Sequence, residues 1–252
     1  MSTLQNNLIS IITPSYKSER FISQTIESVL AQTYQNWKMI IVDDVSPDNS
    51  NEIIEEYCKK DSRIKLIKLE KNSGPAVARN RAIEEANGRY IAFLDADDLW
   101  KHEKLEKQIK YMQKNNLAFT YSSYDLTDEE SNDLGNFLTK DTISYEGMLK
   151  TCSVGCLTAI YDTEKLGKFY MPLIRKRQDY GLWLKILKEI GTTKGMTESL
   201  ATYRILENSV SSNKFKAAQY QWKIYREVEK LSFFKSVYYF VQYVYYGVMK
   251  YK

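Results

Sequence analysis

Short apolar runs alternate with stretches of helical periodicity through the first hundred residues, and that alternation leaves the chain few architectures. LISIIT (8–13) reads as a buried strand that stops at Pro14. From Ser18 onward, Phe21, Ile22, Thr25, Ile26, Val29 and Leu30 recur at spacings of three and four, which predicts a helix with Ser18 as its cap. WKMIIVDD (37–44) is a second strand, closed by the turn-rich SPDNSN, and Ile53, Ile54, Tyr57 and Cys58 mark a second helix. IKLIKLE (64–70) alternates apolar and charged residues as a third strand. NSGPAVARN opens the next helix, with Gly74 in the turn and Pro75 near the first helical position. RYIAFLD is the fourth strand, and a charged helix is expected over 101–116. Strands and helices in this order predict an α/β fold around a parallel sheet with right-handed crossovers.

In such sheets ligands bind beyond the carboxyl ends of the strands. Here the first strand ends in Thr13-Pro14-Ser15-Tyr16, the second in Asp43-Asp44 and the fourth in Asp95-Ala96-Asp97-Asp98. The acids therefore converge on one edge of the sheet. Like charges on so short a segment as 95–98 repel one another. Two readings relieve the repulsion. One is a solvated strand-to-helix turn, with Asp98 capping helix 101–116. The other is a divalent cation, which takes carboxylate oxygens and keeps positions for phosphate oxygens. Neither a GxxxxGK phosphate loop nor a GxGxxG after the first strand is present, which disfavours a kinase or a dinucleotide dehydrogenase. Phosphates bound here would bind through metal.

The second half is less regular. LAFTYSSYDL (117–126) and CLTAIYD (156–162) read as strands, and SLATYRI as a last one. IRKRQDYGLWLKILKEIG (174–191) becomes helical near Asp179, with Leu182, Trp183, Ile186, Leu187 and Ile190 on its apolar face. A net charge of +4 is too small to argue for nucleic acid. Three cysteines without paired spacing point to neither a disulfide framework nor a zinc site, and fit a reducing, cytoplasmic setting. MSTLQNNLISIITPS lacks the pattern of a signal peptide, and no segment is apolar enough to predict a spanning helix.

The ordered set ITPSY, SVLAQTYQNWKMIIVDD, NSGPAVARN and GRYIAFLDADDLW, extended by IRKRQDYGLWLKIL, resembles the inverting glycosyltransferases of family 2 over residues 8 to 210. Its details are most similar to bacterial enzymes of surface-polysaccharide assembly, such as those of teichuronic acid biosynthesis. The resemblance implies a GT-A fold, a nucleotide-diphosphate sugar donor, a Mn²⁺ or Mg²⁺ cofactor, and a glycan or lipid-linked saccharide acceptor. By position it implies that Pro14 and Tyr16 line the nucleotide pocket. Asp44 would accept from a pyrimidine N3–H, which favours a UDP-sugar, with Asp43 as its neighbour. Arg79 would lie near the donor, Asp95 beside ribose and metal, and Asp97 would ligate the metal, with Asp98 as a helix cap. Asp179 would be the general base. Gln178 departs from the acid that often precedes this base, and Lys101-His102 departs from the Leu-Pro that often follows the DxDD-Leu-Trp segment. His102, on a charged helix, reads as solvated. Arg175, Lys176 and Arg177 fit either an anionic ligand or a plain basic surface.

The resemblance sets a domain of 1–210, with a nucleotide half to about 100 and an acceptor half over about 101–210. Beyond it, 211–252 is a basic, aromatic-rich helical tail carrying roughly eight Lys or Arg against two Glu. Phe234, Val237, Tyr238, Val241, Val244, Tyr245 and Val248 form a helical stripe, with Lys235, Gln242 and Lys250 away from it. The stripe suits peripheral contact with the inner face of the cytoplasmic membrane, docking on the catalytic domain, or a homodimer interface. Membrane contact predicts that truncation near Ser211 leaves a folded domain. Two other activities are open: a nucleotidyltransferase on a related fold, and a nucleotide-sugar-binding module without catalysis.

Overall fold

The computed structural model describes residues 7–206 and 214–249. The boundary expected at 210–211 lies outside these described residues. Strand β1 (Ile9–Ser15) leads through α1 (Ile22–Leu30) to β2 (Trp37–Asp43), and α2 (Ser50–Lys60) leads to β3 (Ile64–Lys68). Then α3 (Pro75–Glu85) precedes β4 (Tyr90–Phe93), the short β5 (Leu99–Trp100) and α4 (Lys104–Lys114). The second half runs β6 (Phe119–Thr120), β7 (Ser122–Thr127), β8 (Asp133–Phe137), β9 (Thr142–Ser144) and α5 (Tyr145–Lys150). It continues with β10 (Ile160–Asp162), α6 (Thr163–Leu166), α7 (Gln178–Ile190), β11 (Thr192–Lys194) and β12 (Met196–Arg204). Helices α8 (Lys214–Lys223) and α9 (Phe233–Met249) follow, joined by a π-turn over Ile224–Val228.

The central sheet has the order β3-β2-β1-β4-β10-β6. Strands β3, β2, β1 and β4 are parallel, as expected, whereas β10 runs antiparallel to both β4 and β6. The near-continuous apolar runs follow from burial on both faces. Ile12, Ile40, Val42, Ile91 and Phe93 join one core with α3 and α7. Ile11, Met39, Ile41, Tyr90 and Ala92 join the other with α1 and α4. Successive residues point to opposite sides, so one strand feeds two cores.

The strand expected over 156–162 shrinks to β10, with a 3₁₀ turn over Cys156–Thr158 before it, and three further expectations change. Ser18 is not a side-chain cap: its carbonyl receives the amides of Phe21 and Ile22, and its buried hydroxyl contacts those of Ser15 and Ser50. Asp98 does not cap α4, which starts after Glu103. The strand expected over 117–126 breaks at Tyr121: β6 stays in the central sheet, while β7 joins a second sheet of order β5-β12-β7-β8. Tyr121 is fully buried, its hydroxyl donates to the carbonyl of Lys140 at 2.9 Å, and its carbonyl accepts from the Met196 amide at 2.8 Å. Those contacts, with residues far along the chain, turn the strand.

Candidate active site

A cleft of about 860 Å³ opens where β1, β2 and β4 end, between the starts of α3 and α7. Pro14, Tyr16, Asp44, Arg79, Asp95, Asp97 and Asp179 all line it. The register explains the convergence: Ser15 pairs with Asp43, and Ile12 with Phe93, so the three strand ends lie at one level.

The two acids that end β2 part ways. Asp44 faces the cleft, and its oxygens accept the backbone N–H groups of Ser73 and Gly74, each at 2.7 Å. Gly74 sits at φ +89°, a conformation that glycine adopts without strain, and it brings the start of α3 onto that carboxylate. Each carboxylate oxygen retains a further lone pair. Asp43, buried like Asp44, is not reached by the cleft. It accepts from the Ser46 amide at 2.9 Å and from Asn51 Nδ2 at 3.1 Å, bracing the loop after β2.

Three roles divide the acids after β4. Asp95 accepts from Arg79 Nη2 at 2.5 Å. Asp98 is buried and accepts the backbone N–H of Arg204 at 3.0 Å, tying the turn to β12. Thr25 Oγ1 donates to the carbonyls of Ala96 at 3.0 Å and Asp98 at 2.9 Å, so α1 holds the turn from the other side. Asp97 accepts no hydrogen bond from another described residue. Burial, with the Asp95 charge beside it, pushes its carboxyl up to about 6. Among the described residues no three His, Cys, Asp or Glu side chains gather as a ready metal site. Two carboxylates, one of them unpaired and pushed up, suit a hard cation whose other positions are filled by ligand oxygens and water.

Asp179 lies in the first turn of α7, as its second residue. Arg177, at φ 61°, is the capping residue. Burial raises the Asp179 carboxyl, and the charge of Arg79 pulls it partly back. Arg175, Lys176 and Arg177 all border the cleft. Arg177 donates through Nη2 to the hydroxyl of Tyr243 in α9 at 2.6 Å and through Nη1 to Gln221 in α8. His102 is exposed, outside the cleft, in keeping with a solvated residue.

Sequence reasoning missed Arg204, the last residue of β12. It is buried beside the cleft, its Nη2 donates to Gln24 Oε1 at 2.7 Å, and its guanidinium lies 4.3 Å over the Phe21 ring. Its Nε and Nη1 find no hydrogen-bond partner among the described residues. The available signal was the one that found the acids: a charged residue at the end of an apolar strand.

Residues 10–178 match the family model Glycosyl transferase family 2. The Bacillus subtilis (strain 168) protein named as teichuronic acid biosynthesis glycosyltransferase TuaG is 48% identical over 244 residues, 96% of this chain and 97% of that one. The Escherichia coli protein named UDP-Glc:alpha-D-GlcNAc-diphosphoundecaprenol beta-1,3-glucosyltransferase WfgD is 41% identical over 248 residues, 98% of this chain and 96% of that one. Among solved structures, S. aureus TarS 1–349 in complex with UDP-GlcNAc matches with a TM-score of 0.70 at 20% identity, covering 94% of this chain and 71% of that chain. The Pyrobaculum calidifontis mannosyltransferase PcManGT in complex with GDP-Man and Mn²⁺ matches with a TM-score of 0.64 at 14% identity, covering 89% and 64%. These structural likenesses are of fold, the GT-A arrangement.

Proposed function

The chain belongs to glycosyl transferase family 2, and from that premise we propose that it moves a sugar from a UDP-sugar to a hydroxyl of a lipid-linked saccharide, in the synthesis of a bacterial cell-surface polysaccharide. The convergence of Asp44, Arg79, Asp95, Asp97 and Asp179 on one cleft carries this reading. UDP-glucose is the first donor to test, because a relative 41% identical has it in its name. That name also supplies the acceptor class, a saccharide on a lipid diphosphate. The reaction would then run at the inner face of the cytoplasmic membrane.

Asp44 receives the uracil N3–H on the lone pairs left by Ser73 and Gly74. Pro14 and Tyr16 flank the base, and Tyr16 is half exposed, as an open stacking wall would be. Asp43 is a positioning residue that sets the loop beside Asp44. Arg79 fixes Asp95 next to ribose and phosphate. A Mn²⁺ or Mg²⁺ ion would be held by Asp97 with Asp95 beside it, and when bound would offset the charge that grows on the departing diphosphate.

Asp179 takes the proton of the acceptor hydroxyl as that oxygen bonds to the anomeric carbon. The carbon–oxygen bond to the diphosphate breaks, and its electron pair leaves with UDP. Burial makes the Asp179 carboxylate a stronger proton acceptor. One displacement with one base inverts the anomeric centre.

The test is UDP release from a panel of UDP-sugars, with Mn²⁺, Mg²⁺ or chelator, then transfer to a synthetic lipid-diphosphate GlcNAc. Metal-dependent release and transfer from one donor are expected. Pyrophosphate release from a nucleotide and a sugar phosphate would point to a nucleotidyltransferase. Tight donor binding without turnover would point to a binding module.

A further inference from the structure

Helix α9 presents two faces of different chemistry. Tyr239 and Phe240 pack against the catalytic core, Ser236 is buried, and Tyr243 accepts from Arg177 at the cleft wall. On the opposite side Phe234, Val237, Tyr238, Val241, Val244 and Tyr245 are all exposed, from 39% at Val237 to 84% at Phe234. Their spacing of three and four makes them one continuous stripe along a helix about 25 Å long. Val248 and Lys250, assigned to the same region from sequence, lie outside the described side chains.

We propose that this outer face of α9 is a docking surface for an anionic bilayer, with the helix lying in the headgroup plane. Charge and composition select that occupant. α9 contains no acidic residue. Lys230, shortly before its start, and Lys235, in its first turn, are exposed and form no ion pair among the described residues. Glu229 is turned inward onto Lys188 at 2.8 Å, so it does not oppose an anionic surface. The stripe mixes aliphatic residues with Phe and Tyr, whose rings combine an apolar body with, in Tyr, a polar tip suited to the boundary of a membrane. No helix among the described residues is long and apolar enough to cross one.

The location adds a reason, which rests on the lipid-linked acceptor of the proposed function. Tyr243 of α9 touches Arg177, two residues before Asp179. A bilayer seated on the outer face therefore lies one helix away from the acceptor side of the cleft. A saccharide on a lipid diphosphate would enter from that side.

The experiment uses the full chain and vesicles of phosphatidylcholine with or without phosphatidylglycerol. The parent should sediment with the anionic vesicles at low salt and be released by high salt. The triple variant Phe234→Ser, Val241→Ser, Tyr245→Ser should lose at least about tenfold in vesicle affinity. It should keep UDP-sugar hydrolysis and lose transfer to an acceptor embedded in vesicles. Lys230→Glu with Lys235→Glu should weaken binding to the anionic vesicles alone. A parent that ignores anionic vesicles at low salt overturns the proposal, as does a triple variant that binds like the parent. A parent dimer that the triple variant converts to monomer, without vesicle binding by either, assigns the face to a second copy instead. Vesicle binding requires no turnover, so a protein that binds vesicles but turns over no UDP-sugar counts against the proposed function and leaves the docking surface standing.

Discussion

Asp97 and Asp179 are both held in environments that disfavour their charge, for different ends. Asp97 is half-buried beside Asp95, and its carboxyl is pushed up to about 6. Because this lies above the ordinary carboxylate range, its stabilising contribution is full below about pH 4 and is lost as pH rises through about 6. Asp97→Asn removes that penalty. The metal-free variant should be more stable than the parent at pH 8, by on the order of 1–3 kcal/mol, with the gap closing toward pH 4. The same variant should lose metal-dependent binding of UDP-sugar. Urea unfolding at several pH values and calorimetric titration check both; no gain at pH 8 would remove the electrostatic premise. Asp179 must be ionised to act as base, and burial raises its pKa. Transfer should fall at acid pH, with a midpoint above the usual carboxylate range. Asp179→Asn should slow transfer by about 10²–10⁴-fold and erase that limb, with donor affinity kept. A proportional loss of donor affinity would reject the base role.

At the scale of elements, α7 decides where Asp179 sits. The helix is buried nearly all round: Trp183 stacks on Phe119 with centroids 5.3 Å apart and meets Phe93 edge-on, also at 5.3 Å. Gly181 lets the 171–172 segment approach. A Cβ there would lie 2.6 Å from Pro172 Cγ and 3.1 Å from its Cδ, and a proline ring cannot swing aside. Gly181→Ala should therefore push the first turn of α7 outward. A cost of about 1–3 kcal/mol is expected, read as a lowered thermal midpoint. Because Asp179 is two residues away, transfer should suffer more than donor binding. Equal kinetics with an unchanged midpoint would mean that the loop yields instead of the helix.

For the whole molecule, the C-terminal helices are part of the core rather than an appendage. Ile224 and Tyr225 are fully buried, Tyr225 donates to the carbonyl of Leu149, and Gln221 Nε2 donates to the Tyr180 hydroxyl at 3.0 Å. Arg177 is held by both α8 and α9. Deleting residues from Lys214 onward should uncover apolar surface around α5 and α7. Such a truncation should aggregate or bind a hydrophobic dye without a cooperative melt. A soluble truncation with parental hydrolysis would return the tail to the separate role expected from its composition.

The order of strands and helices, the two-sided burial of β1, β2 and β4, and the gathering of acids at one sheet edge were all legible in the chain. Each depends on periodicity within a few contiguous residues, and a period of two or 3.6 survives any arrangement of the rest. Which acid of a pair faces the cleft was not legible in any local pattern; only the family resemblance singled out Asp44 and Asp97. Asp44 rather than Asp43 lines it because amides from Ser73 and Gly74 hold the one, while Ser46 and Asn51 hold the other. Asp97 rather than Asp98 is left unpaired because Arg204, 106 positions away, supplies its amide to Asp98. The break of 117–126 across two sheets and the burial of Tyr225 have the same origin. These outcomes are set by hydrogen bonds and packing between residues far apart in the chain, and no local pattern records a partner that only the folded chain brings near.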